Sequence, residues 1–239
     1  MNFDAIVEKI KIRGYWRVNF HPIAYNADLL SLENCLKIIK ENVVSLRGWD
    51  YPHVPSQKNE EECISVSNNY YHAFIDWNGY KEYWRMYQSG QFLHYFALRE
   101  DWDDENELIK GFIAPQKSGE FIYIDGSIVY QLTEIYEFLS RLVLSNKYDS
   151  NIFVSISLHN TKDRMLRVGN RNRAPFHNSY KSGSDTIEFS SEYSKEQLIE
   201  KPDCLALETA LFFFDRFTWH NPPMATIKQD QAELLSGLY

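Results

Sequence analysis

A chain of 239 residues with 44% apolar and 24% charged side chains can bury a core without disulfide or metal staples, which excludes the disordered and small-scaffold classes. Its formal net charge of −8 opposes non-specific attraction to nucleic-acid backbones and anionic membranes, so any polyanion contact has to come from a local basic patch. Cys35, Cys63 and Cys204 are the 3 cysteines, odd in number and scattered, which argues against a disulfide framework and a Cys-based zinc site.

The opening residues predict a short helix, capped by Asn2, with Phe3, Ile6, Val7 and Ile10 at helical spacing and Gly14 as its stop. They lack the continuous apolar centre of a signal peptide, and no apolar run nears the roughly 18 residues that cross a bilayer. A cytoplasmic location without membrane partners is the expectation. Trp16, Val18 and Phe20 alternate with Arg17 and Asn19, the period-2 signature of a strand with one wet face, and Pro22 ends it. Ser31 precedes an amphipathic helix with the stripe Leu32, Cys35, Leu36, Ile39 and Val43. Residues 43–46 can return as a strand.

Residues 63–67 and 70–77 predict a hairpin, because Asn68-Asn69 tolerates the positive φ that tight turns demand. Residues 79–88 read as a short helix broken by Gly90, and 92–99 as a strand. Residues 100–107 hold six acids in eight positions; such a run repels itself and belongs in a surface loop. Residues 120–124 predict a strand closed by a turn at Asp125-Gly126. The longest helical stripe follows at Ile128, Leu132, Ile135, Tyr136, Leu139, Leu142 and Val143. Ile152, Val154, Ile156 and Leu158 mark a half-buried strand, residues 160–185 lose periodicity, and 186–189 resemble a further short strand. A last helix is expected from Asp203 to Phe217, with Pro222-Pro223 beyond it.

These elements predict an α+β fold, an antiparallel or mixed sheet with helices packed mainly on one face, in a single domain whose only loose subdivision would fall near residues 100–120. The aromatic fraction of 15% suits an aromatic core and half-buried sheet faces, or a stacking surface for bases, sugars or a partner chain.

Phosphate loops, dinucleotide fingerprints, H-E-x-x-H, nucleophile elbows and EF-hand loops are all missing. The most distinctive stretch is Leu46-Arg47-Gly48-Trp49-Asp50-Tyr51-Pro52-His53. Arg47, Trp49, Asp50, Tyr51 and His53 crowd a turn fixed by Gly48 and Pro52, and they can line a ligand pocket in which Arg47 holds an anion and Trp49 or Tyr51 stacks. Alternatively the rings plug the core edge and Arg47 pairs with Asp50. Together with Trp16-Arg17-Val18 and the stretch from Trp84 to Phe92, this segment resembles uncharacterised bacterial proteins associated with schlafen-like (AlbA-type) ATP- or DNA-binding proteins and phage-defence gene neighbourhoods. The resemblance covers about residues 15–102 and implies a context rather than an activity; the acidic core pattern of schlafen-type nucleases is not recognisable.

Arg164, Arg167, Arg171, Arg173 and Lys181, with Lys162, form a basic Gly/Asn-rich segment suited to phosphate contacts, or else a surface loop pairing with the acidic run. No two histidines recur at metal-ligand spacing. His72, Asp76, His94 and Asp125 could hold a divalent cation only if separate strands gathered them. The aromatic end of the last helix, Leu211 to His220, is expected in the core or at a homodimer contact. The function expected is therefore a non-catalytic binding or regulatory protein with a nucleic-acid or protein partner, in a bacterial defence or mobile-element setting. The alternative is a metal-dependent nuclease or other hydrolase, and only that reading requires a cofactor, a divalent metal.

Overall fold

The computed structural model describes residues 3–55, 63–108, 117–145, 148–170 and 172–238. Seven strands form one antiparallel sheet. In chain order they begin with β1 (Tyr15–Pro22), β2 (Ile64–Val66), β3 (Tyr70–Trp77), β4 (Tyr80–Tyr87) and β5 (Phe92–Ala97). Two short strands, β6 (Phe121–Tyr123) and β8 (Met165–Arg167), pair in parallel apart from it, and β7 (Ile152–His159) and β9 (Thr186–Tyr193) complete the large sheet. The spatial order is β2-β3-β4-β5-β1-β7-β9. The chain is thus α+β, with an antiparallel main sheet.

Period-2 alternation sends Trp16, Val18 and Phe20 of β1 to one face, level with Trp84 and Met86 of β4 and with Val154, Ile156 and Leu158 of β7. That face meets α2 (Leu32–Asn42), α3 (Tyr130–Ser145), α4 (Lys195–Glu200) and α5 (Pro202–Arg216) in one continuous apolar core. α3 lies inside it, with Leu132, Ile135, Phe138, Leu139 and Leu142 fully buried. α6 (Met224–Ser236) adds Ile227 to the same core. On the opposite face sits α1 (Phe3–Lys11), whose Ile6 and Ile10 cover Tyr15, Phe74 and Tyr83. Helices therefore pack mainly on one face, as expected.

Ser31 caps α2 by accepting from Asn34 N at 3.3 Å, and the Asn68-Asn69 hairpin joins β2 to β3. Several expectations are corrected. Residues 79–88 are not a helix but strand β4, turned out of β3 at Asn78-Gly79 with Asn78 at φ 49°. Residues 43–46 contribute only a bridge from Val44 to Tyr51. The acidic run is not a surface loop: Arg99–Glu105 is a 3-10 turn in which Glu100, Asp101 and Trp102 are buried. Residues 124–129 form a π-helical turn leading into α3 rather than a simple reversal.

The β4–β5 turn depends on Gly90, at φ 79°. A Cβ there would stand 2.6 Å from the Tyr148 ring and 2.7 Å from Leu29, and Tyr148 also donates to the Gly90 carbonyl at 2.9 Å. Gly90→Ala is expected to destabilise by about 1–3 kcal/mol, the combined effect of left-handed backbone and overpacking, read as a lowered urea midpoint at unchanged slope. An unchanged midpoint would contradict the packing described.

Candidate functional site

Where the 45–54 turn packs on β4 and β5, a cavity of about 530 Å³ opens. Its walls are the turn itself, the start of β4, the end of β5 with the 3-10 turn, and the junction of the π-helical turn with α3. Reciprocal bonds between Val44 and Tyr51, at 2.9 and 2.8 Å, close the turn, and Gly48 supplies a residue at φ 72°.

Arg47, Trp49, Asp50 and Tyr51 all line the cavity, and His53 stacks just behind it. The expected partner of Arg47 is nevertheless wrong. Its guanidinium grips Glu134 in a fork, Nε to Oε1 at 2.9 Å and Nη2 to Oε2 at 2.5 Å, and donates to the Gly126 carbonyl at 2.6 Å. Asp50 instead accepts from the Ser45 hydroxyl. Arg47 is thus committed to the protein rather than held ready for an anion. Trp49 is no open platform either, because His53 and Tyr80 stack against it with centroids 3.9 and 3.8 Å away.

Three buried carboxyl groups define the electrostatics. Burial pushes Glu82 upward, but hydrogen bonds from His94 (3.1 Å) and Trp49 Nε1 (2.5 Å) outweigh it and hold the group below the usual carboxylate range. Burial pushes Glu134 up, and Arg47 only partly offsets this. Burial raises Glu100 as well, against a backbone N–H and the Ser127 hydroxyl. Glu100 is 7% exposed and its Oε1 has no hydrogen-bond partner among the described residues; Tyr51, 3% exposed, leaves its hydroxyl in the same condition. The cavity therefore offers one carboxylate held ionised, two carboxyls that take a proton more readily, and, on its lining residues, three unpartnered polar atoms, the third being Trp16 Nε1. Glu82, Glu100 and Glu134 were not singled out by the sequence; the only signal for Glu100 was the acidic run, which pointed to the surface.

The other predicted clusters do not assemble. Arg164 is buried in a bidentate pair with Asp101, Arg173 pairs with Asp230 of α6, and Arg171 lies outside the described residues. Arg167 stacks on Phe121 at 4.7 Å and Lys181 is exposed, so no shared basic patch forms from Arg164 and Arg173. His72 and Asp76 project from the α1 face of the sheet, where His72 bonds the Tyr83 hydroxyl and Asp76 takes Lys9 and Lys81. His94 projects from the other face onto Glu82, and Asp125 accepts from the backbone N–H groups of Gly169 and Asn170. The four proposed metal ligands share no point, and among the described residues no group of three or more His, Cys, Asp or Glu is placed to hold a metal.

Phe213, Phe214, Phe217 and Trp219 are buried in the chain's own core, while Leu211 and Phe212 are half-buried and His220 is exposed. Among the described residues no helix is long and apolar enough to cross a membrane. Compared with protein-family models, curated proteins and solved structures, the chain gives no match.

Proposed function

We propose that the protein is a binding or regulatory module whose cavity takes a small organic ligand, donating a hydrogen bond to Glu100 and exchanging one with the Tyr51 hydroxyl. The observation that carries this reading is the set of buried atoms without a hydrogen-bond partner among the described residues, Glu100 Oε1 and Tyr51 Oη with Trp16 Nε1, on three residues lining one cavity. Leaving a buried polar group unpaired costs about 1–3 kcal/mol, a loss that a complementary ligand restores. The volume of about 530 Å³ falls within the roughly 300–1,000 Å³ of small-molecule sites.

The ligand's chemistry follows from the walls. Asp50, Glu82, Glu100, Asp103 and Glu134 face only Arg47, Lys81 and Arg99, and Lys81 is tied to Asp76 and Glu105. An excess of acids beside Tyr80, Tyr130 and Phe96 favours amines and amino-substituted aromatic rings over anions.

Fragments of those two classes, screened by thermal shift and measured by calorimetry, test the proposal. Glu100→Gln and Tyr51→Phe are each expected to weaken the hits at least about tenfold, the equivalent of one lost hydrogen bond to a charged or buried group. Glu100→Gln should also raise thermal stability at alkaline pH. The folded carboxyl titrates above its unfolded value, so wild type loses stability as pH rises through that raised pKa, whereas Gln has no proton to lose. Hits that bind both variants as tightly as wild type would sink the assignment.

A further inference from the structure

Among the described residues, the sheet face opposite the main core is covered at one corner, by α1 over Phe74, Tyr83 and Tyr15 and by Trp102 of the 3-10 turn over Lys81. Beyond that corner the register brings to the same face Tyr70 of β3, Arg85 and Tyr87 of β4, Arg17 of β1 and Phe153 of β7, all half-buried. Neither arginine has a carboxylate partner among the described residues. Arg85 donates to the hydroxyls of Tyr83 and Tyr87 and lies over the Tyr70 ring at 4.9 Å. Arg17 has no hydrogen-bond or ion-pair partner among the described residues.

In a chain of net charge −8, this arrangement is selective. The acids near this face stand at its flanks: Glu188 and Glu192 on β9, where they accept from Ser155 and Asn151, Asp4 and Glu8 on α1, and Asp76 at the far end of β3, where Lys9 and Lys81 hold it. Between the flanks, β1, β5 and the Arg85 end of β4 present none. Arg17 is level with Tyr95 and Arg85 with Leu93, two strands across and two residues along, which puts their Cα atoms about 12 Å apart at about 4.8 Å per strand and about 3.3 Å per residue. One extended strand can meet both cations.

We propose that this face binds single-stranded nucleic acid, with Arg17 and Arg85 contacting phosphates and Tyr70, Tyr87 and Phe153 presenting rings to the bases. A half-open antiparallel sheet with aromatic rings beside guanidiniums that no carboxylate neutralises among the described residues meets both needs of such a strand, stacking and charge, where a duplex hides its bases. The inference is independent of the cavity.

Fluorescence anisotropy with a labelled oligothymidylate and an oligouridylate of about 12 nucleotides tests it. Wild type is expected to bind at about 50 mM salt and to weaken steeply by about 200 mM. Arg17→Gln, which removes no internal bond and so leaves folding intact, should lower the log–log salt slope by about 0.7. Tyr87→Ala should weaken binding at least about fivefold, the lower end of one lost base stack. Glu100→Gln should bind as wild type does, which separates this face from the cavity. No binding at about 100 µM protein in low salt, an unchanged slope in Arg17→Gln, or polyglutamate competing as well as the oligonucleotide would each overturn the proposal.

Discussion

Asp101→Ala is expected to destabilise the protein by about 3–5 kcal/mol, the cost of leaving one member of a buried ion pair behind. The Asp101 and Arg164 side chains are 1% and 0% exposed. Arg164 Nη1 donates to Oδ1 at 2.8 Å and Nη2 to Oδ2 at 2.7 Å. The same carboxylate accepts from Gly14 N at 2.7 Å and Gly119 N at 2.9 Å, while Arg164 also donates to the Phe121 carbonyl at 2.7 Å. One substitution therefore strands a guanidinium and the Gly14 N–H in the interior, and takes the acceptor from the Gly119 N–H at the surface. Because each partner's loss is mostly the penalty of the other left unpaired, Asp101→Ala with Arg164→Met should cost well under the sum of the single changes. Urea unfolding of the four forms measures this, and additive costs would contradict it.

Arg47→Ala is expected to cost about 3 kcal/mol near pH 8, at the low end of that range because Arg47 is partly exposed, and much less in acid. The buried party is Glu134, 2% exposed against 23% for Arg47. Its folded pKa already lies above the unfolded value, through burial that Arg47 only partly offsets. Ionising it therefore costs stability as pH rises through the folded pKa, and without Arg47 that pKa climbs further. The deficit should grow with pH and fade once Glu134 is protonated. Melting temperatures between about pH 5 and pH 8 are the check; a pH-independent deficit would show that lost packing, not charge, is responsible.

The elements legible in the sequence are those whose apolar period survives one-sided burial. β1, β7, α2, α3 and α5 each keep a stripe or an alternation with a polar opposite side. β4 does not. Lys81, Glu82, Tyr83 and Trp84 are all buried in succession, since α1 covers one face and the core the other, so alternation vanishes and the helix-forming residues Lys, Glu, Arg and Met mislead. In the fold the Asn78-Gly79 dipeptide, a strong hairpin signal, outweighs them and turns β3 into β4. The 45–54 turn was legible as a crowded polar and aromatic turn because Gly48 and Pro52 set it locally, and four of its residues line the cavity. Glu82, Glu100 and Glu134 were not, because nothing beside a glutamate in the chain reveals whether it ends in water or in a cavity.

Local rules of period, capping and turn chemistry were enough to establish an α+β chain with helices chiefly on one sheet face. Only the tertiary structure decided which charges meet. Arg47 bypasses Asp50 for Glu134, 87 residues away, and Arg164 leaves its basic segment for Asp101, 63 residues away. Secondary structure follows from neighbours a few residues apart, whereas the fate of a charge depends on its desolvation and on whichever counter-charge folding brings within hydrogen-bond reach.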